Sequence, residues 1–359
     1  MPLPPILQKL PLPIIGAPLF IISNPRLVIE QCKAGVVGSM PALNARPAAQ
    51  LDDWLAEITE ALAAHDRAHP ERPAAPFAIN QIVHRSNDRL EHDMAVCAKY
   101  RVPIVITSLG ARTDINDAVH AWGGVVLHDV INNTFARKAI EKGADGLIAV
   151  AAGAGGHAGV KSPFALVQEI RQWFDGPVAL SGAIAHGGAV LAARAMGADF
   201  AYVGSAFIAT EEARAVDGYK QAIVEGSSDD IVYSNLFTGV HGNYLKGSIR
   251  SAGLDPEALP ESDPSAMNFG AALNDSGPKR PGRTSGAAGR ASARCSRSCR
   301  PACWSSDWRA STATQCRASH PEPSAHSARG QSQQLDLEHQ RGIRRDQAAA
   351  RASGAVGDV

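Results

Sequence analysis

Gly146-Leu147-Ile148-Ala149-Val150-Ala151-Ala152-Gly153-Ala154-Gly155-Gly156-His157-Ala158-Gly159 is the stretch on which the fold turns. Its opening run, Gly146 to Val150, is apolar without alternation, as a strand covered on both faces must be. The second half is dense in glycine, which lets a flat or phosphorylated ligand approach the backbone closely. Ser162-Pro163 then opens a helix, since proline is tolerated in a first turn. An apolar, glycine-rich turn of this kind lines a cavity, and His157 is the one polar side chain planted in it.

The same unit of buried strand, turn and helix recurs along the first two-thirds of the chain. Apolar runs fall at Pro13–Leu19, Val36–Met40, Phe77–Val83, Val102–Leu109, Gly124–Val130, Gly146–Ala152, Val178–Ile184 and Phe200–Ile208. Segments of helical period separate them: Asn24–Lys33, Leu51–Ala64, Asp88–Lys99, Thr113–Ala121, Thr134–Lys142, Pro163–Phe174, Gly188–Met196 and Glu211–Glu225. Strands apolar on both faces that alternate with helices imply a parallel sheet. Eight such units in a row predict a closed (β/α)8 barrel, the TIM-barrel architecture, over residues 1–226. An open doubly wound sheet is the alternative. No G-x-G-x-x-G turn follows the first strand, which counts against a dinucleotide-binding sheet.

The chain has 359 residues, a formal net charge of +0 and 45% hydrophobic residues. Such a balance gives no reason to expect nucleic acid or an anionic membrane as a partner. No run of ~18 uninterrupted apolar residues occurs to span a bilayer. Met1-Pro2-Leu3-Pro4-Pro5-Ile6-Leu7 lacks the basic region and cleavage site of a signal peptide and reads as the lead-in to the first strand. Cys32 and Cys97 read as buried apolar residues in a reducing compartment, and a cytoplasmic location is expected.

Ser227–Asn274 departs from the strand–helix rhythm and reads as a small helical lid over the barrel, with His241 and Lys246 as weaker candidate site residues. Beyond about residue 278 the composition changes to Arg, Ser, Ala and Cys, and apolar periodicity disappears. Residues 279–359 read as a disordered low-complexity tail, as a metal site on Cys295, Cys299 and Cys303, or as translation out of frame. The cysteine spacing is not that of a zinc site. With G/C-rich codons, Arg280–Ala293 can be reread one base back as Lys-Ala-Trp-Lys-Asp-Ile-Trp-Gly-Cys-Gly-Gln-Gly-Ile-Gly, and Trp304–Thr312 likewise conceals a helix-period sequence. That favours the frame error.

In a (β/α)8 barrel the loops after the strands form the active face, with phosphate bound after the last two. Here those ends read Leu180-Ser181-Gly182-Ala183-Ile184-Ala185 and Tyr202-Val203-Gly204-Ser205-Ala206-Phe207. Backbone N–H groups at Gly182, Gly204 and Ser205 can cradle a phosphate, although such glycines also serve plain tight turns. Gly16-Ala17-Pro18-Leu19 ends the first strand with small residues, as if against a flat ring, and Asn80-Gln81 ends the third, where an amide can bond a heterocycle or cap the loop. His128-Asp129 ends the fifth and reads equally as a structural pair or a catalytic group. No metal motif and no G-x-S-x-G elbow occurs in the barrel segment.

Taken together, Gly-Ala-Pro-Leu after strand one, Asn80-Gln81 after strand three, Gly-Ala-Gly-Gly-His-Ala-Gly after strand six, Ser-Gly-Ala-Ile after strand seven and Gly-Ser-Ala-Phe after strand eight resemble the nitronate monooxygenases, also called 2-nitropropane dioxygenases, over residues 10–275. The resemblance implies a flavoprotein that binds FMN across the C-terminal strand ends. The ring would meet Ala17 and Asn80, the phosphate Gly182, Gly204 and Ser205, and Gly155 and Gly156 would let backbone approach the flavin. His157 matches the catalytic histidine, as a base for a neutral nitroalkane or as a cation steadying the nitronate. The implied reaction takes an alkyl nitronate and O2 to a carbonyl compound and nitrite; a homodimer is compatible with it. Two positions depart from the pattern: Val150 stands where many members carry glutamine, and Asp129 where some carry lysine. An NAD(P)H-dependent FMN reductase of the enoyl-thioester reductase type and an inactive frameshifted product are the alternatives.

Overall fold

The computed structural model describes residues 3–262. Eight parallel strands form the sheet: β1 (Ile14–Gly16), β2 (Gly38–Pro41), β3 (Phe77–Ile82), β4 (Ile104–Ser108), β5 (Val125–Val130), β6 (Gly146–Val150), β7 (Val178–Ser181) and β8 (Phe200–Val203). They neighbour one another in chain order, and β8 returns to β1 with Ile15 opposite Tyr202. The ring closes between β1 and β2. Ile15 faces Val37, Val37 N–H donates to Ile14 O at 3.0 Å, and Gly16 N–H donates to Val37 O at 2.8 Å. The expected barrel is therefore present, and the open sheet is excluded.

Helices α1 (Pro25–Lys33), α2 (Gln50–Ala68), α3 (Leu90–Lys99), α4 (Thr113–Ala121), α5 (Asn133–Glu141), α6 (Pro163–Arg171), α7 (Gly187–Ala195) and α8 (Asp217–Glu225) connect or follow the strands. Local chemistry sets several of their starts. Asn24 Oδ1 accepts from Leu27 N–H and Asn132 Oδ1 from Phe135 N–H, and Pro25 and Pro163 occupy first turns. Each such cap stabilises its helix by about 1 kcal/mol.

Strand alternation sorts the apolar residues into two layers. Ile15, Val37, Ala78, Ile104, Ile106, Leu127, Ile148, Ala179 and Phe200 fill the barrel interior. Leu7, on the short helix Pro5–Gln8, packs against the same cluster, so the segment expected only to lead in also plugs the barrel. The alternate strand residues, among them Met40, Ile79, Val105, Val126, Leu147 and Leu180, pack outward against the helices.

The last apolar run behaves differently from its reading as one long strand. The chain leaves β8 at Val203, and Ser205–Ile208 is a helical turn. Phe207 is fully buried there in a cluster with Leu12, Ile14, Leu27 and Ile223. A short run apolar on every side serves a buried strand and a buried helical turn equally, so the pattern carried no stop signal.

The segment after α8 contains a short helix, Lys246–Ser251, but also a β-hairpin that its composition did not announce. Strands Ile231–Ser234 and Gly242–Leu245 pair antiparallel, and the second of them pairs with Gly156–His157 of the glycine-rich turn. Residues 263–275 of the expected lid, the tail, its reading frame and Cys295, Cys299 and Cys303 lie outside the described residues.

Candidate active site

Barrel closure brings Ala17, Asn80, Gly182, Gly204 and Ser205, together with the glycine-rich turn that carries His157, to the C-terminal end of the strands. Ala17 follows β1, and its N–H donates to Val203 O of β8 at 2.7 Å. Gly204 lies beside it. A Cβ built at Gly204 would approach only Leu19 Cδ2 at 3.4 Å and Ala17 Cβ at 3.5 Å, which are ordinary contacts. The chain's own packing does not demand glycine at 204, whereas a ligand laid against that backbone would. Ser205 begins the helical turn that follows.

Gly182 is required for a different reason. Its φ of +141° is closed to most side chains, and a Cβ would sit 2.8 Å from Ala152 O. Ala183 N–H donates to Gly153 O at 3.1 Å, so the loops after β6 and β7 are laced together. Between them and the hairpin is a cavity of about 260 Å³, lined by Ala152, Gly153, Gly159, Val160, Ala183, Tyr233 and Asn243.

His157 is held by the hairpin. Its backbone pairs opposite Gly242, and Gly156, at φ +68° with nothing within 4 Å of a built Cβ, pairs opposite Asn243. Gly155 is exposed at the turn. The imidazole Nε2 lies 3.0 Å from Thr238 Oγ1. Thr238 donates its own proton to Val240 O at 3.0 Å, which leaves its oxygen able to accept from Nε2. A neutral imidazole that donates there carries its lone pair on Nδ1. Burial lowers the His157 pKa to about 4, which keeps the ring uncharged at neutral pH.

Asn80 projects into the barrel mouth from β3. Its amide donates to Ile106 O at 3.1 Å and to Ser108 Oγ at 2.8 Å. Ser108 in turn donates to Asp129 Oδ2 at 2.6 Å. Asp129 is surrounded by protein yet open to the mouth, and burial raises its pKa to about 6. The Tyr202 hydroxyl shares this space and is pushed up by burial and by the charge of Asp129.

His128 and Asp129 do not form a pair. As strand neighbours they point to opposite faces, and His128 lies outside the barrel wall with Nδ1 2.6 Å from Thr107 Oγ1. His241 stacks on Tyr233 with ring centroids 5.0 Å apart, and Lys246 forms an ion pair with Glu257 at 2.8 Å. Both serve the lid rather than the mouth. Cys32 and Cys97 are buried free thiols pushed up to about 12 by burial. Sequence reading did not single out Thr238, Asn243, Ser108 or Tyr202 as site residues. Counting every second residue back from each strand end finds Ser108 and Tyr202, whereas Thr238 and Asn243 depend on the hairpin.

An uncharged imidazole fixed at the mouth of a closed parallel barrel is equipment for moving a proton beside a bound ligand, and it places the chain among the (β/α)8-barrel enzymes. Comparison with known proteins narrows that class. The sequence model of the nitronate monooxygenase family matches residues 5–276. A nitronate monooxygenase of Paraburkholderia phytofirmans is 26% identical over 73% of this chain and 81% of its own. One of Neurospora crassa is 27% identical over 68% and 75%. Among solved structures, a nitroalkane oxidase from Streptomyces ansochromogenes superposes with a TM-score of 0.71 at 23% identity, covering 87% of this chain and 99% of that one. FabK from Thermotoga maritima does so at 0.68 and 21%, covering 87% and 96%. The chain belongs to the nitronate monooxygenase family, whose members are flavin-dependent oxidoreductases of nitronates and nitroalkanes. Among the described residues, no helix is long and apolar enough to cross a membrane.

Proposed function

We propose that this chain oxidises alkyl nitronates, and neutral nitroalkanes after deprotonation, with O2 to a carbonyl compound and nitrite, using FMN. The observation that carries the reading is the neutral His157, fixed by Thr238 with its lone pair on Nδ1. The residues fit FMN. Gly204 leaves open backbone where its own packing does not ask for glycine, and Ala17 and Asn80 stand at the same mouth. Gly182, Gly204 and Ser205 would hold the phosphate; Ala17, Asn80, Gly155 and Gly156 would flank the ring. FMN would supply the electron acceptor.

His157 removes the α-proton of a neutral nitroalkane at Nδ1. The depressed pKa argues against a resting cation and leaves a neutral ring able to accept a proton. Buried, unpaired Cys32 and Cys97 fit a cytoplasmic location.

The test is direct. The chromophore released on denaturation is identified by mass, and oxygen uptake is followed with nitroethane and with its preformed nitronate. FMN together with nitrite release is expected. FAD, or rapid bleaching by NADH or NADPH without nitronate oxidation, would sink this reading in favour of a reductase.

The family match ends at residue 276, just before the change in composition. We infer that the reading frame shifts there. Sequencing the gene across codons 274–282 tests this, and restoring the other frame should raise flavin occupancy.

A further inference from the structure

The side chains on the wall of the 260 Å³ cavity, between the β6 and β7 loops and the hairpin, have hydrogen-bonding capacity of one kind only. Tyr233 and Asn243 are the polar side chains on that wall, and no charged side chain joins them. The two stand opposite each other in the hairpin register, so they leave the same face of that small sheet. Asn243 Nδ2 already donates to Ala154 O at 2.6 Å, and the Tyr233 hydroxyl donates to Ala158 O at 2.9 Å. The Ala154 carbonyl also fixes the amide orientation, because a flipped amide would set oxygen against oxygen. What remains is acceptors. Asn243 Oδ1 is buried and has no hydrogen-bond partner among the described residues, and Tyr233 Oη can still accept. A buried acceptor without a partner is rare in a folded protein, and here it marks a place for a donor.

The chemistry of the wall selects the occupant. A phosphate or a nitronate offers acceptors, and these two side chains have no free donor to meet it. An uncharged chain of hydroxyls is complementary, since every hydroxyl brings a donor. Position selects further. The wall runs through Ala152 and Gly153, just before the Gly155-Gly156 turn, and through Ala183, next to Gly182. Ala183 N–H donates to Gly153 O at 3.1 Å, so the two stretches form one surface. Their neighbours are the glycines assigned above to the flavin ring and to its phosphate. The part of FMN that joins ring to phosphate is the ribityl chain, which is uncharged and bears hydroxyls.

We propose that Asn243 is a flavin-binding residue: the ribityl chain lies along this cavity, with one hydroxyl donating to Asn243 Oδ1 and Tyr233 Oη as a second acceptor. The proposal rests on the FMN reading above. A flavin seated in this way ties the hairpin to the barrel, because Asn243 belongs to the hairpin strand that pairs with Gly156–His157.

The test compares riboflavin with lumiflavin, which carries a methyl group in place of the ribityl chain, by quenching of flavin fluorescence on titration with the flavin-free full chain. FMN is titrated alongside to report on the phosphate site. In the wild type riboflavin should bind more tightly than lumiflavin. Asn243→Ala should lower that preference about fivefold, as for the loss of one hydrogen bond, and leave the gain from riboflavin to FMN unchanged. Reading the preference within one protein cancels the effect of the lost bond to Ala154. Ala152→Val keeps Asn243 and fills the cavity, and should lower the preference as well. An unchanged preference in Asn243→Ala overturns the proposal. So does an unchanged preference in Ala152→Val, which carries the test alone where the alanine variant does not fold. Equal affinity of the wild type for riboflavin and lumiflavin overturns it too. If none of the three flavins binds, the FMN reading falls and the proposal falls with it. The expected preferences in a protein that leaves nitronates unoxidised overturn the proposed reaction and leave Asn243 in its role.

Discussion

His157 Nε2 and Thr238 Oγ1 meet at 3.0 Å although 81 residues separate them in the chain. The contact joins the turn after β6 to the hairpin beyond α8, so the hairpin bears on the tautomer of the proposed base. Thr238→Val removes the acceptor and leaves the apolar bulk. Turnover of neutral nitroalkanes should fall about tenfold, as for a base that has lost its orientation, with flavin content unchanged. Thr238→Ser should recover most of the rate. Equal loss in the serine and valine variants would show that the contact is only packing.

The pH dependence of the base follows from its burial. In the proposed role the active form is neutral, and with a pKa near 4 it predominates at every pH above about 5. For nitroethane, kcat/KM should therefore be level from pH 5 upward as far as His157 is concerned, and should fall as the ring protonates through about 4. His157→Ala should lower that rate by ~10²–10⁴-fold while the preformed nitronate is affected far less. A rate that instead rises through pH 6.5 would place the base in ordinary solvent contact, contrary to its enclosure.

Much of this arrangement was legible before folding. Eight apolar runs between helical segments gave the barrel, and His157 stood out because nothing else polar occupies its turn. What escaped is what depends on partners distant in sequence. Thr238 looks like any hydroxyl in a loop until Gly242–Leu245 pairs with Gly156–His157. His128 and Asp129 looked like one pair because they are adjacent in sequence, yet adjacency in a strand puts them on opposite faces, one against Thr107 and the other on Ser108.

Gly182 and Gly204 end neighbouring strands but should respond oppositely to alanine. At 182 the backbone is left-handed and the added Cβ meets Ala152 O at 2.8 Å, so Gly182→Ala should cost about 1–3 kcal/mol of stability. At 204 the same change makes only ordinary contacts, so Gly204→Ala should fold normally yet bind FMN more weakly. Urea unfolding of the apoproteins, paired with flavin titration, separates the two effects. Undiminished flavin affinity in Gly204→Ala would remove that glycine from the phosphate site.

Asn243 is a strut for the lid. It is 1% exposed and donates from Nδ2 to Ala154 O at 2.6 Å, across the cavity wall. Asn243→Ala leaves that carbonyl without its partner and should destabilise the fold by about 1–3 kcal/mol. Hydrogen exchange at residues 152–160 should rise more than exchange in the barrel strands. Uniform acceleration throughout would mean that the hairpin and the barrel open as one unit.

Acid stability should be governed in good part by His128, which lies outside the barrel wall against Thr107. It is 5% exposed outside the barrel wall, and burial lowers its pKa from 6.5 to about 4. Between those values the unfolded chain binds the proton and the folded chain does not, so the stability present above pH 6.5 is lost as pH falls toward 4. The loss attributable to this residue is about 2–3 kcal/mol between pH 7 and pH 4.5. Asp129 acts with the opposite sign. Its pKa is raised from 3.8 to about 6, so its contribution weakens as pH rises through that window and partly offsets the histidine. Urea unfolding at pH 7 and pH 4.5 should therefore show a smaller difference in His128→Asn than in the wild type, and a larger one in Asp129→Asn. Identical differences in all three proteins would mean that neither group stays as dry in solution as its enclosure requires.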